Sequence, residues 1–289
     1  MRRILAVLAI AVAVLSAPAP GRADEETDMN IMGAQLNLMM GDIPHALESI
    51  NAVIADNPDY PLAYLMRAQI WQADGEFKKS VDDYSQAIAF GFDHSPYIYT
   101  QRGDARAAGG DYAPAIADYN QALTFNAGFW PAIAGRGAAL VDSGDVAHGL
   151  PDLDRALAND PGDFTEVLKS EHVQVQSRKG PPQQGTNALT VTIHSAPAMA
   201  DAYVARGKLR FAQGAYKPAL SDLDAAVKRM PKLAAAHFYR GLTLLALGRC
   251  QDGRSEFNAP GVTGTAAFQT ALTQHKDAVA KAGCSVEKL

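Results

Sequence analysis

The side chains best suited to catalysis or metal binding are scattered along this chain without a recognisable reactive arrangement. The histidines stand at His45, His94, His148, His172, His194, His237 and His275. None of them forms a His-Glu-x-x-His motif or a zinc-ligand spacing, and the chain has no Gly-x-Ser-x-Gly elbow and no glycine-rich phosphate loop. We therefore predict no catalytic residue, no metal site and no cofactor, and we expect that the protein is not an enzyme.

Residues 1–23 have the features of a secretory signal peptide, with basic residues first, an apolar run from Ile4 to Leu15, and small residues up to Ala23. The apolar run is shorter than the ~20 residues of a transmembrane helix. We predict cleavage after Ala23, a periplasmic or secreted location, and no membrane insertion after cleavage.

The charge of the mature chain argues against nucleic acid as a partner. Removal of Arg2, Arg3 and Arg22 leaves 23 Lys and Arg against 31 Asp and Glu, a net charge of −8. A protein with this balance and no basic block is poorly suited to gripping phosphates or anionic lipid.

The only two cysteines are Cys250 and Cys284. An even number of cysteines in an exported chain is typical of a disulfide, and we predict that these two residues form one. The alternative is a redox or metal role, which is disfavoured because the pair lacks the Cys-x-x-Cys spacing.

Arginines and acidic residues recur together in the chain, sixteen positions apart. The pairs are Arg67 with Asp83, Arg102 with Asp118, Arg136 with Asp152, Arg206 with Asp222, and Arg240 with Glu256. One further pair of corresponding positions, Gly33 and Ser49, is also sixteen residues apart and lacks both the arginine and the acid. This joint variation predicts ion pairs between neighbouring helices rather than a ladder of cations that binds an anion.

A glycine before an acidic or turn residue marks a repeat. It recurs at Gly41, Gly75, Gly110, Gly144, Gly214 and Gly248, with spacings of 34, 35, 34, 70 and 34. This period, with small and apolar residues in register around each glycine, resembles the tetratricopeptide repeat. With the glycine as position 15, the six copies span residues 27–60, 61–94, 96–129, 130–163, 200–233 and 234–267.

The resemblance implies an all-α fold, a right-handed α-solenoid of helical hairpins with a capping helix at its C-terminal end. In each hairpin the glycine would end the first helix, A, and the acidic residue beside it, where there is one, would cap the second, B. These acidic residues are Asp42, Glu76, Asp111 and Asp145. Small residues at positions 8 and 20 would let the two helices approach closely. Four repeats then occupy residues 24–163, two occupy 200–267, and the capping helix and tail occupy 268–289.

Residues 164–199 between the fourth and fifth repeats are the least regular part of this pattern. They read as a degenerate seventh hairpin with Gly180 at its turn, or as an insertion. The insertion could be a loop or a small β-hairpin, since HVQVQ and LTVTIH alternate as strands do.

The resemblance also implies a binding surface, because helix A lines the concave face of this family and holds peptides or helices there. The corresponding residues are Leu65, Gln69, Gln72, Tyr97, Thr100, Asp104, Val204, Lys208, Phe211, Phe238 and Leu242. Lys208 is the only cation among them, so a carboxylate clamp is not expected. The mixture favours an extended peptide or an amphipathic helix. The competing interpretation is that Phe211 and Phe238 belong to the core.

These observations favour a protein-binding scaffold or adaptor of the bacterial cell envelope. Two alternatives stay open at this point: a periplasmic chaperone that holds unfolded clients, and a hydrolase that uses residues 164–199. In the scaffold interpretation the partner is another protein, and neither nucleic acid nor membrane is involved.

Overall fold

The computed structural model describes residues 25–158 and 196–262, three short strands, and residues 272, 273, 276 and 279–284. The predicted signal peptide lies outside the described residues, apart from Val12 and Ala13. Within the described ranges no helix is long and apolar enough to cross a membrane.

Helices dominate the described chain and follow one another as hairpins. Their bounds are α1 Glu25–Met40, α2 Ile43–Asp56, α3 Pro61–Asp74, α4 Phe77–Ala87, α5 Pro96–Ala108, α6 Tyr112–Phe125, α7 Trp130–Ser143, α8 Val146–Ala158, α9 Ala196–Ala212, α10 Tyr216–Arg229, α11 Ala234–Ala246 and α12 Cys250–Glu256. Each consecutive pair, beginning with α1 and α2, is helix A and helix B of one predicted repeat. The prediction of an all-α repeat fold is confirmed.

The repeated glycine ends helix A as predicted. All six copies have a left-handed backbone, with φ between 75° and 99°. At Gly75 the amide donates to the Gln72 carbonyl, and the next amide, of Glu76, donates to the Trp71 carbonyl at 2.9 Å. These two bonds satisfy carbonyls that the helix end leaves open, and glycine adopts the required φ at little cost.

The predicted acidic caps of helix B are only partly present. Asp42 accepts a hydrogen bond from the amide of His45, and Asp145 accepts one from the amide of His148. Glu76 and Asp111 make no such bond. The prediction is therefore wrong for these two residues.

The single interval of 35 residues has a local explanation. Between Gly75 and Gly110, helix α4 is followed by the segment Ile88–Phe92, in which Gly91 has a positive φ of 139° and is not helical. The extra residue of this interval can be accommodated at this kink, which glycine permits.

Small residues allow close approach within each hairpin. A β-carbon added at Gly207 would lie 2.9 Å from Cγ of Leu223, and one added at Gly137 would lie 3.0 Å from the Gly149 carbonyl oxygen. The large residues at position 24 fill the core and are almost fully buried: Ile50, Tyr84, Tyr119, Leu153, Leu223 and Phe257. The predicted packing is confirmed.

The chain divides into two compact units between Ala132 and Ile133, within α7. The first unit contains α1 to α6, the beginning of α7 and the three strands. The second contains the rest of α7 and α8 to α12, with the described residues of the C-terminal segment.

The strands form a small antiparallel sheet in the order β1-β3-β2. They are β1 Val12–Ala13, β2 Thr165–Lys169 and β3 Thr190–His194, and β3 lies within the alternating sequence LTVTIH. Thr165 pairs with His194, and Val12 pairs with Val191. HVQVQ and Gly180 lie outside the described residues.

The fourth and fifth repeats contact each other directly across residues 164–199. Arg206 of α9 donates to Asp154 of α8 at 2.8 Å, in the same way that Arg240 bonds to Asp224 of its preceding repeat. Two parts of residues 164–199, Thr165–Lys169 and Thr190–His194, are strands, and most of the remainder lies outside the described residues. The degenerate hairpin and the insertion both stay predictions for this stretch.

Candidate functional site

The recurrent arginines make the ion pairs predicted for them, in all five repeats. Nε and Nη2 of Arg102 donate to the two carboxylate oxygens of Asp118 at 3.0 and 2.7 Å, and Arg67, Arg136 and Arg206 bind their acids in the same two-pronged way. Arg240 contacts Glu256 through Nη1. The bond to Asp83 raises the pKa of Arg67. These arginines join helix A to helix B and are not free to bind an anion.

The structure adds a second role for the same arginines that we did not predict. In four repeats the guanidinium also reaches a polar residue at position 25 of the preceding repeat, and these acceptors are Asn51, Ser85, Asp154 and Asp224. Each such arginine therefore ties its own hairpin together and ties it to its predecessor. The recurrence of polar residues at position 25 was a signal that could have revealed this contact.

The predicted binding residues divide into a buried set and a partly exposed set. The buried residues are Leu65, Tyr97, Thr100, Val204, Phe211 and Leu242. The partly exposed residues are Gln69, Gln72, Asp104, Lys208 and Phe238. Five of the eleven predicted residues are thus partly exposed and six are buried, and the binding role of all eleven stays a prediction.

The predicted residues of the second unit form a mainly structural group. Phe211 and Leu242 belong to one core cluster with Leu272, Val279 and Cys284, and Phe238 packs against its edge. The Lys208 ammonium lies 2.8 Å from Oδ1 of Asp142. Because Phe211 is buried, it cannot anchor a peptide without opening this core.

The predicted residues of the first unit lie in a network of tyrosines, amides and one carboxylate. The Tyr84 hydroxyl donates to Oε1 of Gln72 at 3.0 Å. The Tyr119 hydroxyl donates to Oδ1 of Asp104 at 2.8 Å, and the Gln101 amide donates to its Oδ2 at 3.3 Å. We call Gln69, Gln72, Tyr84, Tyr97, Asp104 and Tyr119 the tyrosine cluster.

Tyr97 is the exception within this cluster. Its side chain is 6% exposed, and its hydroxyl has no hydrogen-bond partner among the described residues. Burial raises the pKa of Tyr97, and the nearby Asp104 charge raises it further. The Gln69 side chain is near enough to act in the opposite direction, but it does not reach hydrogen-bond geometry. The hydroxyl is therefore neutral and buried, and no described residue forms a hydrogen bond with it.

Sequence reasoning missed the tyrosines at position 24 as members of this cluster. Burial raises the pKa of Tyr84, with further contributions from Tyr97 and Asp104, so the three groups lie close together. Tyr84 and Tyr119 occupy a core position that is isoleucine, leucine or phenylalanine in the other repeats. Tyrosine at an apolar repeat position was the signal that could have identified them.

Two further features concern chemistry rather than binding. The structure joins Cys250 and Cys284 by a disulfide, with Cα atoms 5.5 Å apart, which is a usual separation. Among the described residues, no group of three His, Cys, Asp or Glu side chains is arranged to hold a metal ion.

Comparison with known families agrees with the repeat geometry. A tetratricopeptide repeat model matches residues 32–97 and 198–259, and a second model of this repeat matches residues 96–128. These matches cover more than half of the chain. The chain belongs to the tetratricopeptide repeat family. No curated protein matches the sequence of this tetratricopeptide repeat protein significantly.

Solved structures share the fold of this tetratricopeptide repeat protein at low sequence identity. A chain of the APC/C hetero-tetramer Cut9–Hcn1 has a TM-score of 0.63 at 13% identity, over 90% of this chain and 44% of its own length. PilW, described as a widely conserved type IV pilus biogenesis factor, has a TM-score of 0.57 at 19% identity, over 86% and 100%. PilF of Pseudomonas aeruginosa has a TM-score of 0.56 at 13% identity, over 87% and 98%. Such identities show a common fold only.

The family supports a general statement about function. Tetratricopeptide repeat proteins are typically non-enzymatic scaffolds that bind other proteins or peptides. Function on a widely used fold is determined by the individual surface, so the residues of the tyrosine cluster must supply the rest of the argument.

Proposed function

We propose that this protein is a scaffold of the bacterial cell envelope that holds an extended peptide of another protein against the tyrosine cluster. One observation carries the proposal: the buried Tyr97 hydroxyl has no hydrogen-bond partner among the described residues. A buried polar group left unsatisfied costs roughly 1 to 3 kcal/mol, so a ligand that pairs with it recovers free energy on binding. A peptide main chain offers both a carbonyl acceptor and an amide donor at regular intervals.

The residues around Tyr97 have the chemistry to bind such a main chain. Gln69 and Gln72 stand three residues apart on α3, so their side chains project from one side of that helix. Each amide can donate and accept, and both side chains are only partly buried. Amide contacts of this kind bind main chain with little dependence on sequence.

The location in the envelope rests on the sequence and the cysteines. Residues 1–23 have the pattern of a cleaved leader, and a disulfide is stable in an oxidising compartment outside the cytoplasm. The similarity to PilW and PilF supports the fold and does not assign this chain to pilus assembly.

The test separates ligand binding from folding with two matched tyrosine variants of residues 24–289. Peptides are selected from a random display library, and their affinity is measured by fluorescence anisotropy. Tyr97→Phe removes a hydroxyl that is unpaired in the free protein, so we expect unchanged or slightly higher stability and about fivefold weaker peptide binding.

Tyr84→Phe serves as the control, because its hydroxyl is already bonded to Gln72. It should lower stability by about 1 kcal/mol. Gln69→Ala with Gln72→Ala should weaken binding while the far-UV circular dichroism spectrum stays unchanged. Equal peptide affinity in the wild type, Tyr97→Phe and the double alanine variant would contradict the proposed site.

A further inference from the structure

One face of α1 exposes large apolar side chains to an extent seen nowhere else in the described part of the chain. More than half of each side chain is accessible at Met29, Met32, Leu36, Met39 and Met40. Phe125, at 36%, is the only other large hydrophobic residue counted as exposed among the described residues. A contiguous apolar patch of this kind on a folded protein marks an interaction surface.

The spacing of this patch is that of a two-helix seam. Met29, Met32, Leu36 and Met39 follow one another at intervals of three, four and three residues. This is the a and d pattern of a coiled coil, in which a single facing helix receives each side chain. We call these four residues the α1 seam. Ile31 and Ala34, on another side of α1, are buried.

In later repeats the positions equivalent to the seam are covered by the preceding hairpin. In the second repeat the residues at positions 3, 6 and 10 are at most 3% exposed. They are Ala63, Met66 and Ile70. Repeat one is the first copy in the repeat pattern, and Gly33 stands where other repeats carry the arginine that bonds to their predecessor. The seam therefore lacks the polar contact of ordinary repeat stacking and offers only an apolar surface.

We propose that α1 pairs antiparallel with α1 of a second copy of this chain. The seam is self-complementary, as an interface related by twofold symmetry requires. Helix α1 contains no lysine or arginine, and its acidic residues are confined to positions 25, 26 and 28. Antiparallel pairing keeps the two acidic N-terminal ends of α1 apart, whereas parallel pairing would bring these like-charged ends together.

In the antiparallel pair, Met29 lies opposite Met39 of the second copy, and Met32 lies opposite Leu36. The seam spans ten residues, or about 15 Å, so the association is weak and depends on concentration.

The experiment is sedimentation equilibrium of residues 24–289 over a concentration series. Met32→Lys with Leu36→Lys places two charges in the seam, and we expect at least about tenfold weaker dimerisation. The matched control is Asn30→Lys with Asn37→Lys, which adds the same charge to α1 outside the seam. The control should change the dimer dissociation constant by less than about threefold. Circular dichroism checks that both variants fold.

Cross-linking tests the orientation of the two helices. A mixture of Met32→Cys and Leu36→Cys chains should form a covalent dimer faster than either variant alone. A wild type that stays monomeric up to about 1 mM overturns the proposal. Equal weakening of dimerisation by the seam and control variants also overturns it. Preferred cross-linking of position 32 to itself, or a monomer whose seam binds only a different protein, would do the same.

Discussion

The hydroxyl of Tyr119 on α6 donates a 2.8 Å hydrogen bond to Oδ1 of Asp104 on α5, the facing helix of the same repeat. Gln101 donates to the other carboxylate oxygen, so both oxygens of a half-buried carboxylate are bonded. A hydrogen bond to a charged group contributes about 1.5 to 3 kcal/mol. We expect Tyr119→Phe to lower the free energy of unfolding by this amount in urea denaturation. A loss no larger than that of Tyr97→Phe would show that the bond contributes nothing.

The pairing of Arg136 with Asp152 predicts strong coupling in a double-mutant cycle. Their closest nitrogen and oxygen are 2.6 Å apart, and both side chains are mostly buried. Arg136→Leu leaves the carboxylate without its main partner and should cost about 3 kcal/mol. Asp152→Leu added to it should cause little further loss, because the uncompensated charge is removed. Additive losses in chemical denaturation would contradict the pairing.

Close helix packing at Gly207 predicts that side-chain bulk is not tolerated there. A β-carbon at this position meets Leu223 at 2.9 Å and the Ala219 carbonyl at 3.4 Å. Gly207→Leu should lower the free energy of unfolding by about 1 to 3 kcal/mol or more. The control is Gly33→Ala, whose β-carbon meets only Ser49 Oγ at 3.5 Å. Since alanine favours helix by about 0.5 to 1 kcal/mol, this control should raise the melting temperature. An unchanged melting temperature in Gly207→Leu would refute the packing account.

The disulfide predicts a measurable loss of stability on reduction. Cys250 and Cys284 are 34 residues apart, and a loop of this length corresponds to about 3 to 4 kcal/mol in the chain-entropy account. Cys250→Ser with Cys284→Ser should therefore melt at a lower temperature than the oxidised wild type. A thiol assay on the unfolded, non-reduced protein should find no free thiol. Two free thiols would disprove the bond in the isolated protein.

The fold was predictable from the sequence because the same pattern of residue types recurs in six repeats. The end of helix A needs a left-handed backbone, which favours glycine at position 15. Close contact between the two helices needs small residues at positions 8 and 20. The arginine and acid vary together because they touch. Such signals act within one hairpin and can be read without knowing the rest of the structure.

The binding surface was less predictable because burial depends on neighbours that a repeat position does not specify. Phe211 and Leu242 occupy helix A positions that the family resemblance places on a binding face, yet here they belong to a core that includes Leu272 and Val279. The lack of a hydrogen-bond partner for the Tyr97 hydroxyl among the described residues depends on the relative positions of three helices. The degenerate hairpin was expected because a gap of 36 residues is close to one period, although length alone cannot distinguish a stacked unit from an insertion.

The contact between Arg206 and Asp154 makes the junction after the fourth repeat a natural place for exchanging sequence. The two residues are 52 positions apart, which becomes 16 when residues 164–199 are removed, the same separation as Arg240 and Asp224. The sequence inserted at this junction can therefore be exchanged without altering either residue of the contact between the fourth and fifth repeats.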